Sequence, residues 1–281
     1  MRRAFLRPLA HALDRTGTTG SQVDELIEIE RAGATAVVTM KFGQTRPALD
    51  HAGGEALVRA LHELNRDTAC RAIVIAGDGA DFCPGGDFSR GAGEDADPIA
   101  LRGRLRTATT LFRDMRRAPK PILAAVEGVV RGGGLALVCA SDHVVAASDA
   151  TFRCDALEAG LVPDGGLLWS LPERVGHAKA GELILLGRAM PAEDALWAGL
   201  ADELAVPGAA LERALAAARR FESLPAAAVA LIKAAAWNGG TSIEDGCRLE
   251  LDLNPLSRQA ADHLEAVAAF MERRPPHFTG N

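Results

Sequence analysis

Phe82-Cys83-Pro84-Gly85-Gly86-Asp87-Phe88 and, further along, Gly128-Val129-Val130-Arg131-Gly132-Gly133-Gly134 are the two stretches that decide the fold. Each follows a short apolar run of β character, Arg71 to Ala76 before the first and Pro121 to Val126 before the second. A glycine-rich turn at a strand end can expose backbone N–H groups, because glycine tolerates positive φ and close backbone approach. Either turn alone reads equally well as plain turn geometry. Together they read as an oxyanion hole, two main-chain donors placed to receive negative charge on a carbonyl oxygen. The nearby carboxylates then decide the reaction, and the leading candidate is Asp164, in Gly160-Leu161-Val162-Pro163-Asp164-Gly165-Gly166.

The flanking pattern predicts strands and helices in alternation. Leu26 to Glu30 and Ala34 to Met40 flank the turn Arg31-Ala32-Gly33 and read as a hairpin beginning near Asp24. Helical spacing recurs over Gly54 to Leu64, Leu101 to Arg117 and Leu135 to Cys139, and then over Gly165 to Leu171 and Ala178 to Leu186. Short strands are expected over His143 to Ala147 and Thr151 to Cys154. The remainder reads as helical over Ala192 to Trp197, Leu211 to Ser223, Ala226 to Trp237 and Ala260 to Arg273. This is an α/β class chain, divided as an N-terminal extension (1–23), an α/β core carrying the site (24–205) and a helical C-terminal region (206–281). Residues 91–97 are acidic and turn-prone, as expected of a loop able to cover a ligand.

Composition narrows the function. The chain has 281 residues, 48% of them apolar, enough for a sizeable core, and a net charge of −6 with no basic block, which argues against a nucleic-acid surface. The absence of tyrosine removes much of the aromatic surface that single strands stack on. No apolar run reaches membrane-spanning length, and the Arg2-Arg3 pair lacks an apolar segment behind it, so a cytoplasmic location is expected. Five cysteines without a C-x-x-C pair fit a reducing compartment and inert core thiols.

Other glycine-linked motifs fail on single residues. Leu137 stands where a dinucleotide fingerprint needs its third glycine, and Gly134-Leu135 replace the Lys and Ser/Thr of a Walker loop. No G-x-S-x-G elbow occurs, and His62-Glu63 lacks the second histidine of a zinc site, so no metal centre is expected.

The chain resembles the crotonase superfamily, the enoyl-CoA hydratase/isomerase fold. The similarity rests on Ala80 to Phe88, Pro119 to Gly128, Gly132-Gly133-Gly134 and Gly160 to Gly166, with Leu186-Gly187-Arg188 and the closing Phe270 to Gly280, in order from about Leu26 onward. The resemblance implies a crotonase-like spiral of repeated ββα units with a helical C-terminal trimerisation region. It implies acyl-CoA thioester substrates, with coenzyme A entering as part of the substrate and no permanently bound cofactor, and homotrimers or dimers of trimers. By position it assigns the oxyanion donors to the N–H groups of Gly86 and Gly133. It leaves Arg46, Arg90, Arg273 and Arg274 as candidates for the CoA phosphates, while Asp87 and Asp142 read as turn or cap acceptors.

Departures from the family pattern carry equal weight. Hydratases of the family have two glutamates that position and activate water, and here those places hold Ala136 and Ala156. Asp164 stands where some isomerases of the family have their acid and where aroyl-CoA dehalogenases have a nucleophilic aspartate. The residue also suits a helix N-cap or a Pro-Asp-Gly-Gly turn. Isomerase-type proton transfer is therefore expected, with thioester hydrolysis or substitution through Asp164 and a catalytically degenerate acyl-CoA-binding oligomer as alternatives. Glu158 and Asp155, flanking the second lost glutamate, and Arg131, beside the triple glycine, are candidate auxiliaries, Arg131 for an anionic acyl group or a bridge to a neighbour.

Overall fold

The apolar runs read as strands are buried on both faces, as central parallel strands require. The computed structural model describes residues 26–41, 49–85, 98–238 and 242–280. Gly86, Arg46, Arg90, the 1–23 extension and the 91–97 loop lie outside the described residues. Strands β1 (Ile27–Ala32) and β2 (Thr35–Met40) form the expected hairpin about Gly33, whose φ of +66° is a glycine conformation. Helix α1 (His51–Arg66) leads to β3 (Ala72–Gly77), and α2 (Pro98–Arg117) to β4 (Ile122–Val126). Next come β5 (Val129–Arg131), α3 (Gly133–Ala140), β6 (His143–Ala147), β7 (Thr151–Arg153) and α4 (Leu167–Leu186). Then follow β8 (Met190–Pro191), α5 (Ala192–Ala198) and β9 (Glu203–Ala205). Helices α6 (Ala210–Glu222), α7 (Ala226–Asn238), α8 (Ile243–Gln259) and α9 (Ala261–Glu272) complete the described chain.

Six strands form one sheet in the order β1-β2-β3-β4-β6-β9, parallel apart from the first pair, and β5-β7-β8 form a second. Two turns of the chain give one strand to the large sheet and the next to the small sheet, β4 with β5 and β6 with β7. Cys83, after β3, takes the same place through an isolated parallel bridge to Val130. This is the spiral of ββα units expected of the crotonase superfamily.

The alternation of side chains along each strand divides the core into two layers. In β4, Ile122, Ala124 and Val126 join the larger cluster, which includes residues of α1 to α4, while Leu123 and Ala125 face the other way. Those two pack with Ala210, Ala214, Leu215 and Ala218, so α6 covers the second face of the sheet. Helix α8 is an element the sequence pattern does not announce, since Gly246 and Pro255 both lie within it. Its start is fixed by Ser242, whose hydroxyl accepts from the Asp245 N–H at 3.2 Å. Helix α4 kinks at Gly176, matching the two separate helical stretches read from the sequence.

A buried ion pair ties α7 to the sheet. Asp142 caps β4 by accepting from the Ile122 N–H at 2.7 Å and faces the Lys233 ammonium at 2.5 Å. Lys233 is 7% exposed and also donates to the Lys120 carbonyl at 2.9 Å. Burial pulls the Lys233 pKa below the usual lysine value, against the attraction of Asp142. Asp142→Ala leaves that ammonium without its facing carboxylate and should lower unfolding free energy by about 3–5 kcal/mol. Urea unfolding checks this; a midpoint equal to wild type would contradict it.

Candidate active site

The two glycine turns are held side by side by main-chain bonds. Phe82 N donates to Glu127 O at 2.7 Å, Cys83 N to Val129 O at 3.1 Å, and Arg131 N to Cys83 O at 2.9 Å. Asp81 Oδ1 adds a bond from Val129 N at 2.9 Å. Contact this close admits no Cβ at two positions. At Gly128, with φ of +56°, a Cβ would stand 2.2 Å from the Ala80 carbonyl oxygen, and at Gly134 one would stand 2.5 Å from Cys83 Cβ.

Gly132, at φ of +48°, turns the chain from β5 into α3, and its carbonyl accepts the Ala136 N–H at 3.1 Å. Gly133 is thus the first helical residue, and its N–H has no carbonyl to reach within its own helix. The positive end of the α3 dipole lies at the same place. Gly133 lines a cavity of about 320 Å³ together with Gly85, the neighbour of Gly86. The Gly86 N–H itself lies outside the described residues.

Asp164 lines the same cavity, as do Ala136, Ala156 and Asp155. Two successive left-handed glycines set its position, Gly165 at φ of +60° and Gly166 at +84°. A Cβ on Gly165 would stand 2.9 Å from Ala136 Cβ, and one on Gly166 would stand 2.7 Å from the Phe112 ring. The Asp164 turn is therefore packed against the first of the two alanines. Gly166 is the N-cap of α4, and Asp164 contributes its carbonyl to Leu167 N at 3.1 Å, so its carboxylate is not spent on capping. Desolvation by the surrounding protein raises the Asp164 pKa above 3.8, and a bond from its own backbone N–H opposes this. The residue is exposed to solvent in the open cavity, which limits the size of that shift.

The remaining candidates divide. Asp155 is 3% exposed and ion-paired with Arg131. Glu158 sits on a short 3-10 turn, Leu157–Ala159, pairs with Arg153 and does not line the cavity. Arg273 caps α9 in a left-handed conformation, and Arg274 holds Glu265 and Glu272, each at 2.6 Å. Neither arginine is among the described residues of the cavity wall. Sequence reasoning did not single out Phe112, which lines the cavity and meets Trp169 edge-on at 6.4 Å. The Arg116 guanidinium lies 5.6 Å from the Phe112 ring centre and 5.9 Å from that of Trp169, and burial lowers its pKa to about 10. The helical spacing of Leu101, Leu105, Ala108, Leu111 and Phe112 is the signal for this wall of α2. Burial also raises the thiol pKa of Cys83, Cys154 and Cys139, the last to about 12, which leaves these thiols unreactive.

Residues 30–281 match the family described as enoyl-CoA hydratase/isomerase. A Rhodobacter capsulatus protein named "Probable enoyl-CoA hydratase" is 38% identical over 258 residues, spanning 90% of this chain and 98% of its own. The 1,2-epoxyphenylacetyl-CoA isomerase of Escherichia coli is 33% identical over 80% of this chain and 87% of its own. The crystal structure of an enoyl-CoA hydratase from Polaromonas sp. JS666 superposes with a TM-score of 0.85 at 31% identity, covering 90% of this chain and 99% of that one. Among the described residues, no helix is long and apolar enough to cross a membrane.

Two outcomes follow from this geometry. Gly134→Ala drives a methyl group into Cys83, so it should lower stability by about 1–3 kcal/mol by denaturant unfolding. Turnover should fall by about 10²-fold as the two turns separate, and wild-type values of both would refute the contact. Because folding raises the Asp164 pKa, the stability it contributes is fully present below 3.8 and is lost as pH rises through the elevated value. Asp164→Asn should therefore unfold at higher denaturant than wild type at neutral pH, an advantage that vanishes in acid.

Proposed function

The chain belongs to the enoyl-CoA hydratase/isomerase family of the crotonase superfamily, and within it we propose an isomerase-type enzyme that moves a double bond along an acyl-CoA thioester. Acyl-CoA thioesters are the substrates expected of the family. The observation that carries the reading is one cavity lined by both Asp164 and Gly133, whose wall has methyl groups at both hydratase positions, Ala136 and Ala156. A methyl group neither orients water nor exchanges a proton.

In this reading the thioester carbonyl oxygen accepts from the N–H groups of Gly133 and Gly86. Asp164 takes the proton from the α carbon, and the electron pair of that C–H bond moves into the enolate, whose oxygen rests on the two amides. Collapse of the enolate shifts the double bond as the protonated Asp164, whose acid proton exchanges with solvent, delivers a proton to the γ carbon, or returns one to the α carbon in the reverse of the first step. Each donor of this kind is typically worth about 2.7–4 kcal/mol in the transition state. One carboxyl group reaching both carbons is sufficient. A carboxyl raised by desolvation holds the proton better between the two steps than an ordinary one. The Escherichia coli relative is named an isomerase of an epoxide-bearing acyl-CoA, and more of the relatives' names read hydratase.

Coenzyme A enters as the thiol half of the substrate, and Arg46, Arg90, Arg273 and Arg274 are proposed for its phosphates. Arg274 would have to share its guanidinium with Glu265 and Glu272. Assembly as trimers, or trimers paired as hexamers, is supported by exposed apolar side chains on α8 and α9, among them Leu256, Leu264 and Phe270.

Asp164→Asn should lower kcat/KM for isomerisation by about 10²–10⁴-fold. The wild-type rate should rise with pH through a value above 3.8, as the base ionises, and this limb should be missing from the residual rate of the variant. Steady-state assays on enoyl-CoA thioesters, with product masses, check both. Undiminished turnover by the variant, or a wild-type product carrying added water, would refute isomerisation through Asp164.

A further inference from the structure

The cavity extends beyond the reacting groups. Helix α2 presents Leu101, Leu105, Ala108 and Phe112 to it, a single stripe at i, i+4, i+7 and i+11. At about 1.5 Å per residue, the stripe covers about 16 Å of wall. Its two ends differ. At the Phe112 end the wall meets the Asp164 turn, where a Cβ on Gly166 would stand 2.7 Å from the ring. Leu111 and Leu167, the chain neighbours of Phe112 and Gly166, are only 2% and 1% exposed, and Trp169 and Arg116 brace the ring.

Away from that end the wall is apolar and open. Leu105 lines the cavity yet is 40% exposed, as are Leu161 and Val162, at 53% and 75%. Large apolar side chains left in water beside a cavity mark a surface that something apolar covers. The occupant follows from continuity, because these residues line the same cavity as Gly133 and Asp164. A thioester held at Gly133 and Asp164 reaches them with its own acyl tail. Ala108, the smallest residue of the stripe, stands between Phe112 and Leu105 and leaves the way along the helix free. The pantetheine arm of coenzyme A suits this stretch poorly, since its amides need polar partners that Leu101, Leu105, Ala108, Leu161 and Val162 do not offer.

We propose that the α2 stripe, with Leu161 and Val162, is the bed of a long apolar acyl chain, and that Ala108 sets the length admitted. The proposal rests on the acyl-CoA reading of the cavity and names its substrate class, thioesters of extended alkyl or alkenyl acids in preference to short ones. A methylene fully withdrawn from water contributes about fourfold in affinity, and one covered on a single side contributes less. A large side chain at position 108 would block the tail midway along the stripe. A carboxylate at position 105 would be left facing hydrocarbon.

The test is calorimetric binding of S-alkyl-CoA thioethers to the full-length protein, in a series from butyl through hexyl and octyl to decyl. Wild type should bind the decyl thioether about tenfold or more tightly than the butyl, with affinity climbing along the series. The ratio of decyl to butyl affinity should shrink toward one in Ala108→Phe and in Leu105→Asp. Equal affinity across the wild-type series overturns the proposal, and it is the result expected if the pantetheine arm or a second copy of the chain covers these residues instead. A steep series that either folded variant retains overturns it as well. The exposure of Leu105 keeps Leu105→Asp out of the core, and the wild-type series stands even if Ala108→Phe fails to fold. Binding of a thioether needs no base, so failure here is distinguishable from failure of Asp164, which would leave the length series intact.

Discussion

The structure depends on the contact of one main chain with another at the paired turns. Gly128 lies against the carbonyl of Ala80 and Gly134 against Cys83, at separations that exclude any side chain. Three main-chain hydrogen bonds between Phe82–Cys83 and Glu127–Arg131 hold the turns in that register. Since the turns follow neighbouring parallel strands of one sheet, the sheet fixes their spacing, and Gly132 and Gly133, at the start of α3, line the cavity.

Around that fixed feature the chemistry depends on small residues. Ala136 and Ala156 present methyl groups in the cavity wall, and the turn bearing Asp164 packs its Gly165 against Ala136. The Phe112 ring presses on Gly166, the second left-handed glycine of that turn, and Arg116 and Trp169 back the ring in turn. A long side chain at any of these glycines would move the Asp164 backbone. The Asp164 carboxyl held on that turn has its pKa raised mainly by desolvation.

Much of this was legible in the sequence because its causes are local. Strands β2, β3 and β4 are buried on both faces and read as continuous apolar runs, and α1 and α6 carry apolar residues at helical spacing. Strands β5, β8 and β9 have three, two and three residues, too few for any periodicity, and exist through their pairing partners. Helix α8 was hidden by Pro255 and Gly246, whose local preferences oppose the helix that forms. At the site, the two glycine turns stood out in the sequence, while the roles of Gly133 and Asp164 came from the resemblance to the family. Asp155 and Glu158 did not separate, because the 3-10 turn at Leu157–Ala159 is what sends Glu158 outward to Arg153 while Asp155 stays in the wall. The Arg131–Asp155 pair needs the β5–β7 register, which no local pattern reveals.

The central claim is that one aspartate and a main-chain oxyanion site together make and quench a thioester enolate. Incubating a β,γ-unsaturated acyl-CoA in heavy water and following the α carbon by NMR measures that step directly. The account predicts deuterium at the α carbon with wild type and none above background with Asp164→Asn at saturating thioester. Exchange that persists undiminished in the variant, or double-bond movement by the wild type without any loss of the α hydrogen, would contradict it.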